Sequence, residues 1–457
     1  MPRPSRYLPP FELRVERLEP RGVGAGQHEG RTVHVRGAPP GAVVLARPFA
    51  RKKGVVHARR QGLIQPPPEA LPPRCAAFGT CGGCALQEIP LAAQRAAKHD
   101  LVLRSVGPLE GLPVVGPLGA TAAYGYRNRV ELTFGDRRFL SEEEHRAGVD
   151  NQGRFLGFHA PERFDRVVDV ARCELISAGM NALVAQARAH LTRSALPPWD
   201  TRGHRGFWRH LLLRESQEGD RLVLVFSAPP DDEALALAEL STLAAALPEV
   251  GGVLWLVNER VADAAVGELR AVLRGRPWLT ERLGRLRLRL APLDFFQTNT
   301  PGAEVLYEVV AEAAGGGRRL LDLYCGTGSI GLWLAPAFEE VIGVEVHAPA
   351  VESAARNAEV NGIGHARFLA GEVERVALDL DGDVVVVDPP RAGLHPKAAG
   401  WLAALPARRL VYVACHPPSL GRDRAILEAG GWRLEALWTV DLFPQTGHVE
   451  AVARFVR

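Results

Sequence analysis

Apolar and polar positions alternate over short distances at the start of the chain and gather into longer runs toward its end. Between residues 11 and 65, Glu12–Leu18, Arg31–Val35 and Val43–Pro48 read as short strands separated by glycine-rich turns at residues 22–26 and 39–41. Several short strands at this spacing predict a small barrel. Pro66–Pro68 and Pro72–Pro73 interrupt regular structure and predict a linker near residues 66–74. Over residues 120–295, YGYRNRVELTF and RLVLVFS alternate like strands within a mixed α/β region. From about Phe296 the pattern changes. RRLLDLYCGTGSIGLWLA reads as an apolar strand, a glycine-rich turn and a helix start, and EEVIGVE, RFLAG, DVVVVDPPR and RRLVYVACHPP supply further strand ends. WRLEALWTVDLFPQTGHVEAVARFV closes the chain as two strands with an irregular connection. No apolar run approaches the ~18 residues of a membrane span, and the first ten residues lack the apolar core of a secretory signal. A cytoplasmic protein with no membrane partner is expected. The pattern predicts a multidomain α/β chain: a β-barrel over 1–66, a central α/β domain over 67–294, and a Rossmann-like domain over 295–457.

Composition adds little to this picture, and charge adds more. The 457 residues suit several domains, and 47% hydrophobic with 23% charged residues excludes a disordered or collagen-like chain. The net charge of +3 hides an asymmetry: residues 1–74 carry 14 Lys and Arg against 5 Asp and Glu, so the rest is mildly acidic. A short module this basic points to nucleic acid through Coulomb attraction and counterion release. In the segment 202–214, Arg202, Arg205, Arg209 and Arg214 stand among Phe207 and Trp208. That suits RNA contact and base stacking, and equally a strand whose aromatics pack in a core.

Candidate chemistry gathers in two places. Cys75, Cys81 and Cys84 lie within ten residues in CAAFGTCGGC. In a reducing compartment, thiolates this close suggest zinc or an iron–sulfur cluster, and Cys173 is the spare candidate for a fourth ligand. In the C-terminal region, Gly326, Gly328 and Gly331 form GxGxxG, a signal shared with dinucleotide enzymes. Asp322 sits at the preceding strand end. Glu345 ends the next strand, where a carboxylate can accept from ribose hydroxyls, and Glu372 follows a third. Asp388 and Cys415 end two more strands, and carboxyl ends of an open parallel sheet line its ligand crevice.

These blocks together resemble the RNA uracil-5-methyltransferase family, in the branch with an N-terminal TRAM barrel and a 4Fe-4S cluster, whose members methylate 23S ribosomal RNA. The resemblance covers nearly the whole chain and runs through LEPRGVGAGQHEGRTVHVRGAPPGAVV, CAAFGTCGGC, LDLYCGTGSIG, VDPPRAGL, ACHPPSLGRD and FPQTGHVE in order. It implies Cys415 as nucleophile and Glu450 as base. It implies Gln297, Tyr324, Ser329, Glu345, Glu372 and Asp388 around S-adenosyl-L-methionine, and Cys75, Cys81, Cys84 and Cys173 as ligands of a structural cluster. Phe295 is a candidate stacking residue and Arg391 a candidate phosphate contact. RNA is the expected partner, with no obligate protein partner. The sequence departs from the family at His416, usually Asn, at Gln445, usually His, and at Ala414, frequently Ser. Transfer RNA as target, a silent RNA-binding assembly factor, and a dehydrogenase are the competing readings.

Overall fold

The computed structural model describes residues 9–161, 163–247, 249–376 and 381–457. The chain forms two compact units, one of Met1–Arg74, Gly83–Ala123 and Pro301–Arg457, the other of Cys75–Gly82 and Tyr124–Thr300. Residues 83–123 therefore fall with the C-terminal region, not with the expected 67–294 segment.

In the first unit the N-terminal strands form a six-stranded sheet. Its order is Phe11–Arg14, Val43–Lys52, Val55–Gln65, Arg31–Arg36, Val23–His28 and Arg17–Glu19. The first expected strand is broken after Arg14, because Val15 and Glu16 turn their N–H groups onto Ala42 and Ala25. Leu13, Val33, Val35, Val44 and Ala46 fill the core of this sheet.

The same unit holds an eight-stranded sheet in the order Ala366–Ala370, Phe338–Glu345, Gly317–Leu323, Val384–Val387, Arg409–Ala414, Glu450–Val456, Arg433–Val440 and Val114–Leu118. The first five strands run parallel and Glu450–Val456 runs against its neighbours. The run Val384–Val387 is wholly buried, as a strand covered on both faces requires. The edge strand Val114–Leu118 comes from far upstream and pairs parallel to Arg433–Val440. Helix Leu91–Val106 precedes it and packs on helix Pro417–Ala429 at a close crossing, where a Cβ on Gly421 would lie 2.0 Å from the Ser105 carbonyl oxygen. Gly421→Ala is expected to cost about 1–3 kcal/mol by overpacking, read as a lowered midpoint in urea unfolding.

The second unit is built on a seven-stranded sheet. It runs Arg163–Val168, Gln152–Ala160, Arg129–Arg137, Trp208–Glu215, Arg221–Ser227, Gly252–Val257 and Glu268–Gly275. Here the core reading of 202–214 prevails for four of its residues. Phe207, Trp208, Arg209 and Arg214 are buried. The Trp208 indole donates to Ser194 Oγ, Arg209 donates to the Asn258, Arg260 and Ala262 carbonyls while stacking on Trp199, and Arg214 donates to the Ala291 carbonyl. These guanidiniums satisfy buried backbone acceptors and are not available to a phosphate. Arg202 pairs with Asp165, and Arg205 stays exposed.

Candidate active site

The parallel strands bring the donor-side residues to one end of the sheet. Gly317–Leu323 is flanked on one side by Phe338–Glu345 and on the other by Val384–Val387, so the chain leaves its carboxyl end at a switch in strand order, the usual place for a ligand crevice. There the backbone turns sharply. Tyr324, Gly326 and Gly328 all have positive φ, at 63°, 53° and 78°. A Cβ on Gly328 would lie 2.9 Å from the Phe368 ring and 3.0 Å from the Ala354 Cβ, so glycine is needed there. Helix Ser329–Leu334 follows, and the Gly331 N–H donates to Asp322 Oδ2 at 2.8 Å. Asp322 Oδ1 is buried without a hydrogen-bond partner. Glu345 accepts from the Gly326 N–H at 3.2 Å and the His347 N–H at 2.9 Å, which ties the second strand end to the turn. Ser329 Oγ and the Tyr307 hydroxyl share a hydrogen bond of 2.9 Å.

Burial dominates the electrostatics. It pushes the carboxyls of Asp322 and Asp388 up to about 7, with Asp388 and Glu345 adding to the effect on Asp322. Glu450 is raised well above the ordinary carboxylate range by burial and by Asp388, against the pull of Arg391. Asp388 acts on both Asp322 and Glu450, so the three raised carboxyls share one buried region. An orphaned buried oxygen and raised carboxyls fit a cationic ligand, and S-adenosyl-L-methionine is one.

The reactive side lies at the same end. Cys415 follows strand Arg409–Ala414, and Glu450 opens the antiparallel strand beside it. Ala414 pairs with Ala451, so the next antiparallel step brings Cys415 opposite Glu450. Cys415 is partly exposed. Its thiol is pushed up to about 11 by burial, by Glu450 and by Asp388, while Arg391 pulls it down. Arg391 hydrogen-bonds His448 Nδ1. Burial together with Arg391, Arg21 and Arg422 holds His416 below its usual value, so this mouth favours a neutral imidazole among cations.

Asp423 fixes the two loops relative to each other. This fully buried carboxylate accepts from the Leu394 N–H at 2.8 Å, the Tyr412 hydroxyl at 2.7 Å and the Arg422 guanidinium. It thus joins the loop after Asp388 to the helix after Cys415. Gly393 makes room for it: a Cβ there would lie 2.6 Å from Asp423 Oδ2.

Glu372 is exposed and ion-paired to Arg375 at 2.8 Å, because the chain turns into helix Val373–Val376 immediately after it. Gln297 belongs to the second unit, where it is buried and its carbonyl accepts from Asn128 Nδ2 at 2.9 Å. Phe295 in that unit is 62% exposed, so it does not pack in a core. Tyr307, Asp423 and Phe368 were not singled out in the sequence. Tyr307 comes from helix Thr300–Ala314, outside every motif, and only its spacing on an apolar helix face marks it.

Cys75, Cys81 and Cys173 lie in the second unit and Cys84 in the first. Among the described residues no group of three or more His, Cys, Asp or Glu is gathered to hold a metal ion. Just after Cys84, the Ala85 and Leu86 N–H groups donate to the Gln445 carbonyl. Part of the donor chemistry is present. Burial and Cys75 raise the Cys173 thiol, while the Leu175 and Ile176 N–H groups lower it, and N–H groups directed at sulfur suit a cluster ligand.

Comparison with known proteins agrees with the crevice chemistry. The profile of the tRNA (uracil-5-)-methyltransferase family matches residues 285–455. An RNA methyltransferase of Clostridium acetobutylicum is 33% identical over 98% of this chain and 97% of its own. Another from Chlorobaculum tepidum is 37% identical over 94% of this chain and 92% of its own. The crystal structure of Pyrococcus abyssi tRNA (uracil-54, C5)-methyltransferase in complex with S-adenosyl-L-homocysteine superposes with a TM-score of 0.77 at 25% identity, covering 98% of this chain and 100% of that one. With relatives matched along nearly its whole length, the chain belongs to the S-adenosyl-L-methionine-dependent RNA uracil-5-methyltransferase family.

Proposed function

We propose that this protein forms 5-methyluridine in 23S ribosomal RNA, with Cys415 as nucleophile and Glu450 as base. The observation that carries the chemistry is that Cys415 and Glu450 stand opposite each other, one antiparallel step beyond the Ala414–Ala451 pair, at the carboxyl end of the parallel strands. Carbon 5 of uracil is too weak a nucleophile to take a methyl group unaided. Addition of the Cys415 thiolate to carbon 6 makes the ring an enolate and concentrates electron density at carbon 5. When bound, S-adenosyl-L-methionine supplies an electrophilic methyl group on sulfonium. Asp322 and Asp388 would hold that cation, Glu345 would accept from the ribose hydroxyls, and Tyr324 and Ser329 would line the turn around the donor. Glu450 then removes the proton from carbon 5, the electron pair returns to the ring, and the bond from carbon 6 to Cys415 breaks. A carboxyl raised by burial is a stronger base than a solvated one, as this step requires. A stacked uracil is out of reach of Cys415 and must be flipped out at a cost of a few kcal/mol. The basic N-terminal sheet, read as a TRAM module, holds the surrounding RNA and offsets part of this cost.

The pocket electrostatics predict proton-linked donor binding. Asp322 and Asp388, with free-protein values of about 7, must ionise to meet the cation, so binding releases protons and strengthens as pH rises. The dissociation constant of S-adenosyl-L-methionine is expected to fall about 10-fold or more from pH 6 to pH 8. S-adenosyl-L-homocysteine, without the sulfonium charge, should respond less. Calorimetry in buffers of different ionisation heat measures both, and a flat profile for the sulfonium would contradict this account of the pocket.

The cysteines are proposed to hold a structural 4Fe-4S cluster, with zinc as the alternative. Nothing in the methylation chemistry passes through them. Replacing Cys81 by Ser is expected to remove bound iron from anaerobically prepared protein, measured by iron and sulfide analysis. Zinc without iron in the unsubstituted protein would overturn the cluster.

The transfer RNA reading is favoured by one observation, the match to a structure whose name specifies uracil-54 of transfer RNA. Mapping 5-methyluridine in the RNA of a strain with and without this gene decides between the two. Loss of one or more sites in 23S ribosomal RNA supports the proposal, and loss confined to transfer RNA replaces it.

A further inference from the structure

Glu450 is delivered by an irregular connection, Asp441 to Val449, between strands Arg433–Val440 and Glu450–Val456. Glu450 itself pairs with Val440 in the sheet, and a base must meet carbon 5 within a fraction of an ångström; the connection that leads to it lies outside any strand. What holds it is helix Leu91–Val106, more than 300 residues away in sequence. Lys98 Nζ donates to Asp441 Oδ1 at 2.6 Å and to the Phe443 carbonyl at 2.9 Å. One turn earlier, Gln94 and Gln445 exchange bonds. Gln94 Nε2 donates to Gln445 Oε1 at 2.9 Å, and the Gln445 N–H donates to Gln94 Oε1 at 2.8 Å. Gln94 Nε2 also reaches the Leu86 and Ile89 carbonyls. All four side chains are buried: Gln94 and Lys98 are 0% exposed, Asp441 1% and Gln445 3%.

Residues i and i+4 share one helix face, so Gln94 and Lys98 form a two-point brace along the connection. A lysine buried at this depth is costly to desolvate, and its two partners both lie on the segment leading to Glu450. The connection is also closed from the other side. Gly447 meets the barrel turn so closely that a Cβ on it would fall 1.8 Å from the Gly22 nitrogen.

We propose that Gln94 and Lys98 are positioning residues for the base: through Gln445 and Asp441 they set where the Glu450 carboxylate meets carbon 5. The proposal rests on Glu450 being the base. It separates two steps, because methyl transfer needs Cys415 and the donor, whereas release of product needs Glu450 in register.

The test is single-turnover kinetics on the full chain with RNA from cells lacking the gene, following methyl transfer and decay of the covalent adduct separately. Gln94→Leu and Lys98→Met are compared with the unsubstituted enzyme and with Glu450→Gln, and donor affinity and melting temperature are measured alongside. The expected result is adduct decay slowed about 10- to 100-fold, with methyl transfer and donor affinity changed by less than about threefold. Should Lys98→Met fail to fold, Gln445→Gly removes the side-chain half of the exchange with Gln94 and keeps the backbone N–H, at a position whose φ of 69° glycine accepts readily. Decay at the unsubstituted rate in a folded variant overturns the brace. So does a loss of transfer and decay in equal proportion, which is the mark of a lowered folded fraction. If Glu450→Gln itself releases product normally, the base assignment has failed, and this is distinguishable because the variants of the brace are then not the ones at fault.

Discussion

Replacing Cys415 by alanine is expected to abolish methylation, lowering turnover by roughly 10^4-fold or more, while leaving donor binding within about twofold. Without a sulfur adding to carbon 6, the uracil ring has no route to the enolate, and no neighbouring group substitutes. Cys325, in the glycine-rich turn, is buried, with its thiol raised well above the ordinary range by burial and by Asp322 and Glu345. The side chain removed is small and sits at a partly exposed strand end, so the melting temperature should barely move. Radiolabel transfer from S-adenosyl-L-methionine into RNA measures the first effect and calorimetry the second. Residual turnover within tenfold of normal would remove Cys415 from the chemistry.

Glu450→Gln has a different signature. The amide keeps the shape of the side chain and cannot take a proton, so the enzyme should add to uracil, transfer one methyl group and stop. Steady-state turnover is expected to fall about 10^2- to 10^4-fold, with up to one methyl group per enzyme in the first turnover and a protein–RNA adduct that survives denaturation. Glu450 is buried and raised by Asp388, and replacing it relieves a clustered charge, so stability should hold or rise. Normal turnover by this variant would assign proton removal elsewhere.

How much of this was legible in the sequence differs from residue to residue. The strand ends that carry Asp322, Glu345, Asp388 and Cys415 are visible as apolar runs stopping at a single polar residue, and these four strands lie side by side in one sheet. Glu372 follows an equally clear strand but turns outward to Arg375, because a side chain's direction after a strand depends on the turn, which short-range pattern does not encode. The aromatic and basic stretch at 202–214 had two readings of equal weight, and burial decides for the core at Trp208, Arg209 and Arg214. Charge in a sequence marks a partner only if it stays at the surface. The largest omission is helix Leu91–Val106 with strand Val114–Leu118. Their partners, Asp441, Gln445 and Arg433–Val440, lie more than 300 residues downstream. A pairing of that range leaves no local periodicity to read, and a buried lysine looks like any other lysine. The Gln445 departure from the family gains a physical account here: its amide and its N–H are both engaged by Gln94.

The central claim is a covalent bond between Cys415 and carbon 6 of a uracil. It is tested most directly with RNA carrying 5-fluorouridine, since fluorine cannot leave carbon 5 as a proton does and the adduct persists after methyl transfer. The account predicts a denaturation-resistant protein–RNA complex, formed only with S-adenosyl-L-methionine present for its methylated form. Its nuclease-trimmed peptide should carry the methylated fluorouracil nucleotide on Cys415 in tandem mass spectrometry. A nucleotide found on another cysteine, or methylated RNA with no bound nucleotide on the protein, would contradict it.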